Sequence, residues 1–396
     1  MDVQKQRPQI DILEVFREEK SQKHGFLRVS APMVRYSKLE FRRLLRKHGV
    51  KLCFTPMIIA DSFNNSEKAR QNEFTTTSED KPLIAQFAAK DAIEFSNSSQ
   101  LIYPYVDGID LNCGCPQSWA IAKGYGCGLL KQPELVKDII QTIRRRVNEN
   151  FSVSLKIRLL SHESSNSTIE FARQLEMCGA TFLSLHGRTM WQKTSDPLNV
   201  AAIREVKDSL RIPLIANGNV KSWQTACELY EQTRADGIMA ARGVLANPVL
   251  FNPEYKNDST TAPLDCIQDW LNIAAEAGDN LQFLCFHHHL TFMWGCNLKR
   301  KLRLEFNTFT KKQQILDFFY DNYNVKASSE FLSNPLNYTN CNYTHYMPEI
   351  AEPNLEEVDG TWNSNTNGKF FNEFKQEMDG SDDDDCDLGS SFFAEM

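Results

Sequence analysis

The sequence predicts an α/β protein: a (β/α)8 TIM barrel over residues 26–255, then a small all-α domain over 256–325 and an acidic tail over 326–396. Three observations predict it. Eight short, mostly continuously apolar runs recur between residues 26 and 243, as expected for parallel strands covered on both faces. Helical patterns lie between most of them, and about eight such repeats fit a closed barrel better than an open sheet. No G-x-G-x-x-G opens a helix after the first run, which counts against a dinucleotide-binding doubly wound fold.

Residues 1–25 read as an N-terminal extension without the apolar h-region of a secretory signal. The strand candidates follow in order: FLRVSAP (26–32), KLCFTPM (51–57), PLIAQFA (82–88), VDGIDLN (106–112), SVSLKIR (152–158), ATFLSLHG (180–187), IPLIANG (212–218) and ADGIMAARG (235–243). The helical segments between them include SKLEFRRLLRKHG, PELVKDIIQTIRRRV and STIEFARQLEMCGA. Several end in glycine, a good helix stop. GYGCG (124–128) follows no strand and reads as a mobile loop. After residue 256 strands stop, and CIQDWLNIAAEAGDNLQFLCFHHHLTFMWG, CNLKRKLRLEFNTF and KKQQILDFFYDNY read as helices. The segment beyond 326, rich in Asn, Ser and acidic residues, suits disorder and is expected to be dispensable for catalysis.

Charge is unevenly spread. The chain carries −7, but residues 326–396 hold three Lys/Arg against 15 Asp/Glu, which leaves residues 1–325 at +5. A mildly basic body with an acidic tail is compatible with a polyanionic partner. Eleven cysteines without framework spacing point to reduced thiols in an intracellular compartment, cytoplasmic, nuclear or both. No stretch approaches the roughly 20 apolar residues of a membrane helix, so no membrane partner is expected.

Barrel chemistry sits at the C-terminal ends of the strands. Those ends supply Pro32, Met33 and Val34, then Met57, Gln86, Asn112 to Pro116, Lys156 and Arg158, His186, Asn217-Gly218-Asn219, and Ala241-Arg242-Gly243. Together they suggest a polar rim around an anionic ligand. The loops after strands 7 and 8 are the usual phosphate site of such barrels. Here they read ANGN and AARG, where glycines let backbone N–H groups approach an anion and Arg242 adds charge. The alternative is that they are barrel-closing turns. Lys156 and Arg158, two apart on a strand, face the same way.

Cys115 lies in DLNCGCPQ (110–117), at the end of an apolar strand. C-x-C without a second pair is a poor zinc motif, and a disulfide across two residues is strained. Gly114 allows an unusual backbone and Pro116 favours an extended one at Cys115, which would present the thiol at the barrel mouth. A thiol titrating near ~8.5 is protonated at neutral pH and can act as a general acid. His287, His288 and His289 are consecutive and diverge on a helix, so packing or phosphate contact suits them better than a shared metal, and no metal is expected. Lys299, Arg300, Lys301 and Arg303 are a solvated helix face or, beside a polyanion, a phosphate patch.

The motifs APM (31–33), FR (41–42), Gln86, D-x-N-x-GCP (110–116), K-x-R (156–158), HGRT (186–189), ANG (216–218) and ARG (241–243) occur together and in order. In this the chain resembles the tRNA dihydrouridine synthases over residues 26–325, and SAPMVRYSKL, CGCPQ and ARGVLANP look most like the eukaryotic 20a/20b branch. The resemblance implies an FMN enzyme reduced by NADPH or NADH that reduces the C5=C6 bond of D-loop uridines in tRNA and works as a monomer. Pro32, Met33 and Val34 would line the flavin ring and Gln86 its pyrimidine edge. Lys156 would stabilise the reduced ring, and His186 would contact it. Asn217, Gly218, Asn219, Ala241 and Arg242 would hold the phosphate. Asn112 would position flavin and uracil, Arg158 would hold a uracil oxygen, and Cys115 would protonate C5. Lys299, Arg300, Lys301 and Arg303 would meet the RNA. Two positions depart from the wider pattern: Arg35 stands where many relatives have glycine, and Asn219 where Asp is frequent. Two further readings use the same residues: reduction of a free pyrimidine or small enone, and a non-catalytic RNA binder with a structural flavin.

Overall fold

The computed structural model describes residues 8–148, 150–252, 254–255, 259–328 and 335–341. Eight parallel strands form where the apolar runs predict them: β1 (Leu27–Ser30), β2 (Cys53–Phe54), β3 (Leu83–Ala88), β4 (Gly108–Asn112), β5 (Ser152–Arg158), β6 (Phe182–His186), β7 (Leu214–Asn217) and β8 (Gly237–Ala240). Each of β2 to β7 pairs with the next, β8 pairs with β1, and a ninth short strand, Ile58–Ile59, pairs with the end of β3. The remaining gap, between β1 and β2, is bridged at Val29–Leu52, where the Ser30 N–H donates to the Leu52 carbonyl at 3.0 Å. The sheet is therefore a closed barrel.

Register decides what the strand ends bring together. Gln86 lies opposite Asp110, and Asn112 opposite Lys156. Arg158 lies opposite His186, and His186 opposite Asn217. Polar residues read off separate strands thus stand side by side along the C-terminal rim. Helices Leu39–Lys47 and Asn166–Met177 are each followed within two residues by a positive-φ glycine, Gly49 and Gly179. Such a residue stops a helix without a Cβ clash.

Residues 1–25 include more than an extension. Asp11 caps helix Ile12–Ser21, accepting from the Leu13 N–H, and the helix buries Ile12, Val15 and Phe16. It closes the N-terminal floor of the barrel. The Phe16 ring lies 5.5 Å from that of Phe182 at the start of β6. The Ile10 N–H donates to Asp107, just before β4, at 2.9 Å. Reading 1–25 as a plain extension misses this helix, because what it covers depends on the barrel.

Among the described residues the helical region holds four α-helices, Leu264–Ala277, Phe283–Trp294, Arg300–Asn307 and Lys312–Tyr323. It packs on helix Leu39–Lys47 through buried Trp270, which meets Phe41, and through Lys47 and His48, both on Asp269 at 2.6 and 3.0 Å. None of the described helices is long and apolar enough to cross a membrane.

The expected disordered tail needs one correction at its start. Thr339–Asn340 pair antiparallel with Thr75–Thr76, the Tyr338 hydroxyl donates to Glu40 at 2.6 Å, and Cys341 is fully buried. The segment is held by backbone pairing and a side-chain hydrogen bond, which a composition-based reading of a polar run does not register. The disorder expected for 342–396 lies outside the described residues.

Candidate active site

Cys115 sits at the end of a hydrogen-bonded chain that starts in the barrel interior. The Ser154 hydroxyl donates to Asp110 at 2.7 Å, and the Gln86 amide donates to the other Asp110 oxygen at 2.8 Å. Asn112 donates to the Gln86 carbonyl at 2.9 Å. Its own carbonyl then accepts the N–H groups of Gly114 and Cys115 at 3.0 and 2.9 Å. Asn112 therefore orients the cysteine loop, and Gln86 is locked from both ends. Burial raises Asp110 to about 6, and the hydrogen bonds from Ser154 and Gln86 and the nearby Lys156 limit the rise.

The loop read as mobile is instead part of the site. Gly126 to Lys131 form a 3₁₀ turn, and the Cys127 N–H donates to the Cys115 carbonyl at 2.9 Å. Gly126 has φ +57°, and a Cβ there would stand 2.8 Å from the Cys115 Cβ. Only glycine allows that approach. Gly114, by contrast, does not take a positive φ; it lies against the β5 backbone, where a Cβ would meet the Lys156 carbonyl at 3.3 Å. Burial pushes the Cys115 thiol above its ordinary value, so it is protonated at neutral pH.

Cations crowd the mouth beside the cysteine loop. Lys156 and Arg158 are partly exposed, alternating with buried Leu155 and Ile157. The Arg158 guanidinium ties two loops together, donating to the Gly114 carbonyl at 2.8 Å and the Thr189 carbonyl at 3.1 Å. Burial and the neighbouring Arg158 lower Lys156 to about 8. His186 is driven well below its usual range, first by burial and then by Arg158, Lys156, Arg188 and Arg242. Four cationic side chains thus act on one neutral imidazole. Electropositive crowding of this kind suits an anionic ligand.

The β7 and β8 ends complete the rim. Asn217 donates to the Met239 carbonyl at 3.0 Å. Gly218 has φ +138°, and a Cβ there would strike Leu198 at 2.3 Å. Asn219 is left-handed with φ +55°, and its side-chain oxygen accepts from Arg188 at 2.8 Å. Ala241 precedes the short helix Arg242–Ala246. Gly243 serves packing rather than ligand approach, since a Cβ would stand 2.2 Å from the Val220 carbonyl. Arg188, buried, also donates to the Asp196 carbonyl at 2.7 and 2.8 Å.

At the β1 end Met33 is buried, Pro32 half-buried and Val34 exposed. Arg35 has φ +69°, a conformation that glycine adopts freely and arginine does not. Tyr36 is buried against helix Phe283–Trp294, its hydroxyl 3.3 Å from His288 and its ring packed on His289 and Phe292. The three histidines diverge as predicted: His287 reaches the Phe306 carbonyl, His288 faces Tyr36, and His289 stacks on Phe41 at 4.2 Å. Burial lowers His288 to about 4 and His289 to about 3, so both are neutral packing groups. Lys299, Arg300 and Lys301 are exposed and Arg303 half-buried, on the helical domain and apart from the hydrogen-bonded rim.

Asp110, Ser154, Arg188 and the Gly126–Cys127 turn carry no role in the sequence reading. Asp110 and Arg188 stand inside motifs singled out there; Ser154 and Gly126 leave no signal short of the register and the loop contact.

The profile of the dihydrouridine synthase family matches residues 29–328. The chain belongs to the dihydrouridine synthase family. Two mammalian relatives are named tRNA-dihydrouridine(20a/20b) synthase-like, with NAD(P)+ in the name. The Mus musculus protein is 44% identical over 307 residues, covering 77% of this chain and 92% of its own. The Homo sapiens protein is 43% identical over 300 residues, covering 76% and 92%. The Schizosaccharomyces pombe tRNA-dihydrouridine(20a/20b) synthase is 38% identical over 304 residues, covering 76% and 89%. The resemblance to the 20a/20b branch is borne out, and this dihydrouridine synthase is an oxidoreductase. The family match runs from β1 through the last C-terminal helix, so it takes in both the rim and the helical region.

Proposed function

We propose that this dihydrouridine synthase reduces the C5=C6 bond of D-loop uridines in tRNA, at positions 20a and 20b, with FMN as resident cofactor and NADPH or NADH as reductant. The observation that carries the reading is a protonated thiol, Cys115, on a loop that Arg158 bonds, at a rim where four cations act on His186. The thiol can supply a proton; the cations suit phosphate and ring negative charge. The relatives' names support tRNA as substrate and a nicotinamide as reductant.

The residues present fit a flavin phosphate. Arg242, Arg188 and the turn at Gly218–Asn219 gather positive charge and backbone donors where β7 and β8 end, and Met33, Pro32 and Val34 offer an apolar edge. Lys156, held near 8, is mostly charged at neutral pH and suits a ring that gains negative charge. What the cofactor supplies when bound is hydride to C6 of the pyrimidine.

The chain's own part is acid catalysis and orientation. Cys115 gives its proton to C5 as the carbanion character develops there, and solvent restores the thiol. Arg158, already fixed by two backbone carbonyls, has N–H capacity left to hold a uracil carbonyl. Asn112 and Gly126 keep the sulfur from drifting. The target base must leave its stack to reach this mouth, at a cost of a few kcal/mol. Contacts from the helical region, with Lys299, Arg300, Lys301 and Arg303 on its surface, offset that cost.

The test uses purified protein, unmodified tRNA transcript and NADPH. Visible flavin absorbance and dihydrouridine detected by mass spectrometry at 20a and 20b are the expected results. Protein that binds no flavin, or reduces free uridine as fast as tRNA, ends the reading.

A further inference from the structure

Among the described tryptophans, Trp223, Trp270 and Trp294 pack into the core, but Trp119 is 42% exposed and Trp191 79% exposed. Both exposed rings stand on loops that Arg158 joins. Trp119 lies in helix Ser118–Ala122, four residues past Cys115, and Trp191 follows Thr189 by two. Arg158 bonds the Gly114 carbonyl of the first loop and the Thr189 carbonyl of the second. Arg158 thus ties to the rim both stretches of chain that carry the exposed indoles.

Both stretches are held by local hydrogen bonds. The Trp119 indole N–H donates to Gln117, within the cysteine loop itself. The turn that carries Trp191 is closed by Gln192, whose side-chain carbonyl accepts the Thr189 N–H at 2.8 Å. Each ring also has an exposed lysine near it in sequence, Lys123 and Lys193. The carboxylate nearest Lys193 in sequence, Asp196, accepts the Lys193 backbone N–H at 2.6 Å and is engaged in its own turn. Exposed indoles alternating with lysines match the chemistry of single-stranded nucleic acid, where bases stack on rings and phosphates meet cations.

We propose that Trp119 and Trp191 form a stacking platform for the nucleobases adjoining the target uridine. Turning one base out of the stack exposes the faces of its neighbours, and an indole on each of the two tied stretches re-covers them. The inference rests on RNA being the substrate and adds which part of it is gripped, and by what. A protein partner would not require both indole-bearing stretches to be tied to the rim.

The experiment compares Trp191→Ala, Trp119→Ala and Trp191→Phe in the full-length flavin-loaded enzyme. Steady-state kinetics on tRNA are measured beside flavin reduction by NADPH without RNA, the control half-reaction. Each alanine variant is expected to raise the KM for tRNA about tenfold with kcat nearly kept, and phenylalanine to recover most of it. Alanine variants within about twofold of the parent KM, or phenylalanine as impaired as alanine, overturn the platform. An unsubstituted enzyme that reduces its flavin but turns over no tRNA overturns the substrate reading, and the platform with it.

Discussion

The floor and the mouth of the barrel are made by the same eight strands but treat charge differently. At the floor, buried charges are partnered. Glu19 bonds Arg28 at 3.0 Å and His24 at 3.2 Å, and Asp236 meets Lys207 at 2.6 Å while accepting the Leu214 N–H. Asp107 accepts two backbone N–H groups, from Ile10 and Leu83. At the mouth, Lys156, Arg158, Arg188 and Arg242 gather around His186. Closed ion pairs serve the fold, whereas positive charge massed at a rim costs stability and is useful only toward an anion. The difference is the basis for expecting floor residues to serve folding and mouth residues to serve a ligand.

The sharpest way to test that division is Cys115→Ala. If Cys115 is the proton donor proposed above, its removal is expected to slow dihydrouridine formation by about 10²–10⁴-fold while the flavin spectrum and melting temperature stay near the parent's. Single-turnover reduction of tRNA reads this directly, and an undiminished rate would show that the thiol is not the acid. At the floor, Phe16→Ala is expected to cost about 3–5 kcal/mol in urea denaturation with kcat kept in the folded protein. A fall in kcat at full folding would show that floor and mouth are coupled.

A smaller effect sharpens the electrostatics of the mouth. If charged Lys156 is required, activity is full below its value of about 8 and falls as pH rises through it. The Asp110 carboxylate raises Lys156, so Asp110→Asn is expected to move that basic limb of kcat/KM to lower pH. A limb that stays in place would detach Lys156 from the pH profile. The smallest effect belongs to the floor. Burial pushes Glu19 up, but His24 and Arg28 outweigh it and hold the carboxyl below its ordinary 4.5. Its stabilising share is present above 4.5 and lost as pH falls through the lowered value. Glu19→Gln is expected to flatten the acid side of a stability-against-pH curve without touching its neutral plateau's shape.

Much of the site is legible in the sequence. Lys156, Arg158, His186 and Asn217 follow from taking strand ends as the chemical face of a barrel. Cys115 follows from how poorly a zinc site or a disulfide suits its C-x-C spacing. Further parts are not legible there. GYGCG reads as a loose glycine loop because the atom it accommodates, the Cys115 Cβ, lies 11 residues away from Gly126 along the chain. The strap at Thr339–Asn340 is recognised only by its pairing with Thr75–Thr76.

By itself the sequence determined the eight strands, the helices between them, the helical region and the identity of the chemical groups. Apolar runs, helix caps and strand-terminal polar residues are local properties of a chain. Tertiary structure alone decided which of those groups meet: Asn112 opposite Lys156, Arg158 opposite His186, and the Ser154–Asp110–Gln86–Asn112 chain that holds the thiol. Those contacts depend on strand register and barrel closure, which are set by pairings between residues tens of positions apart and leave no periodic trace in either partner.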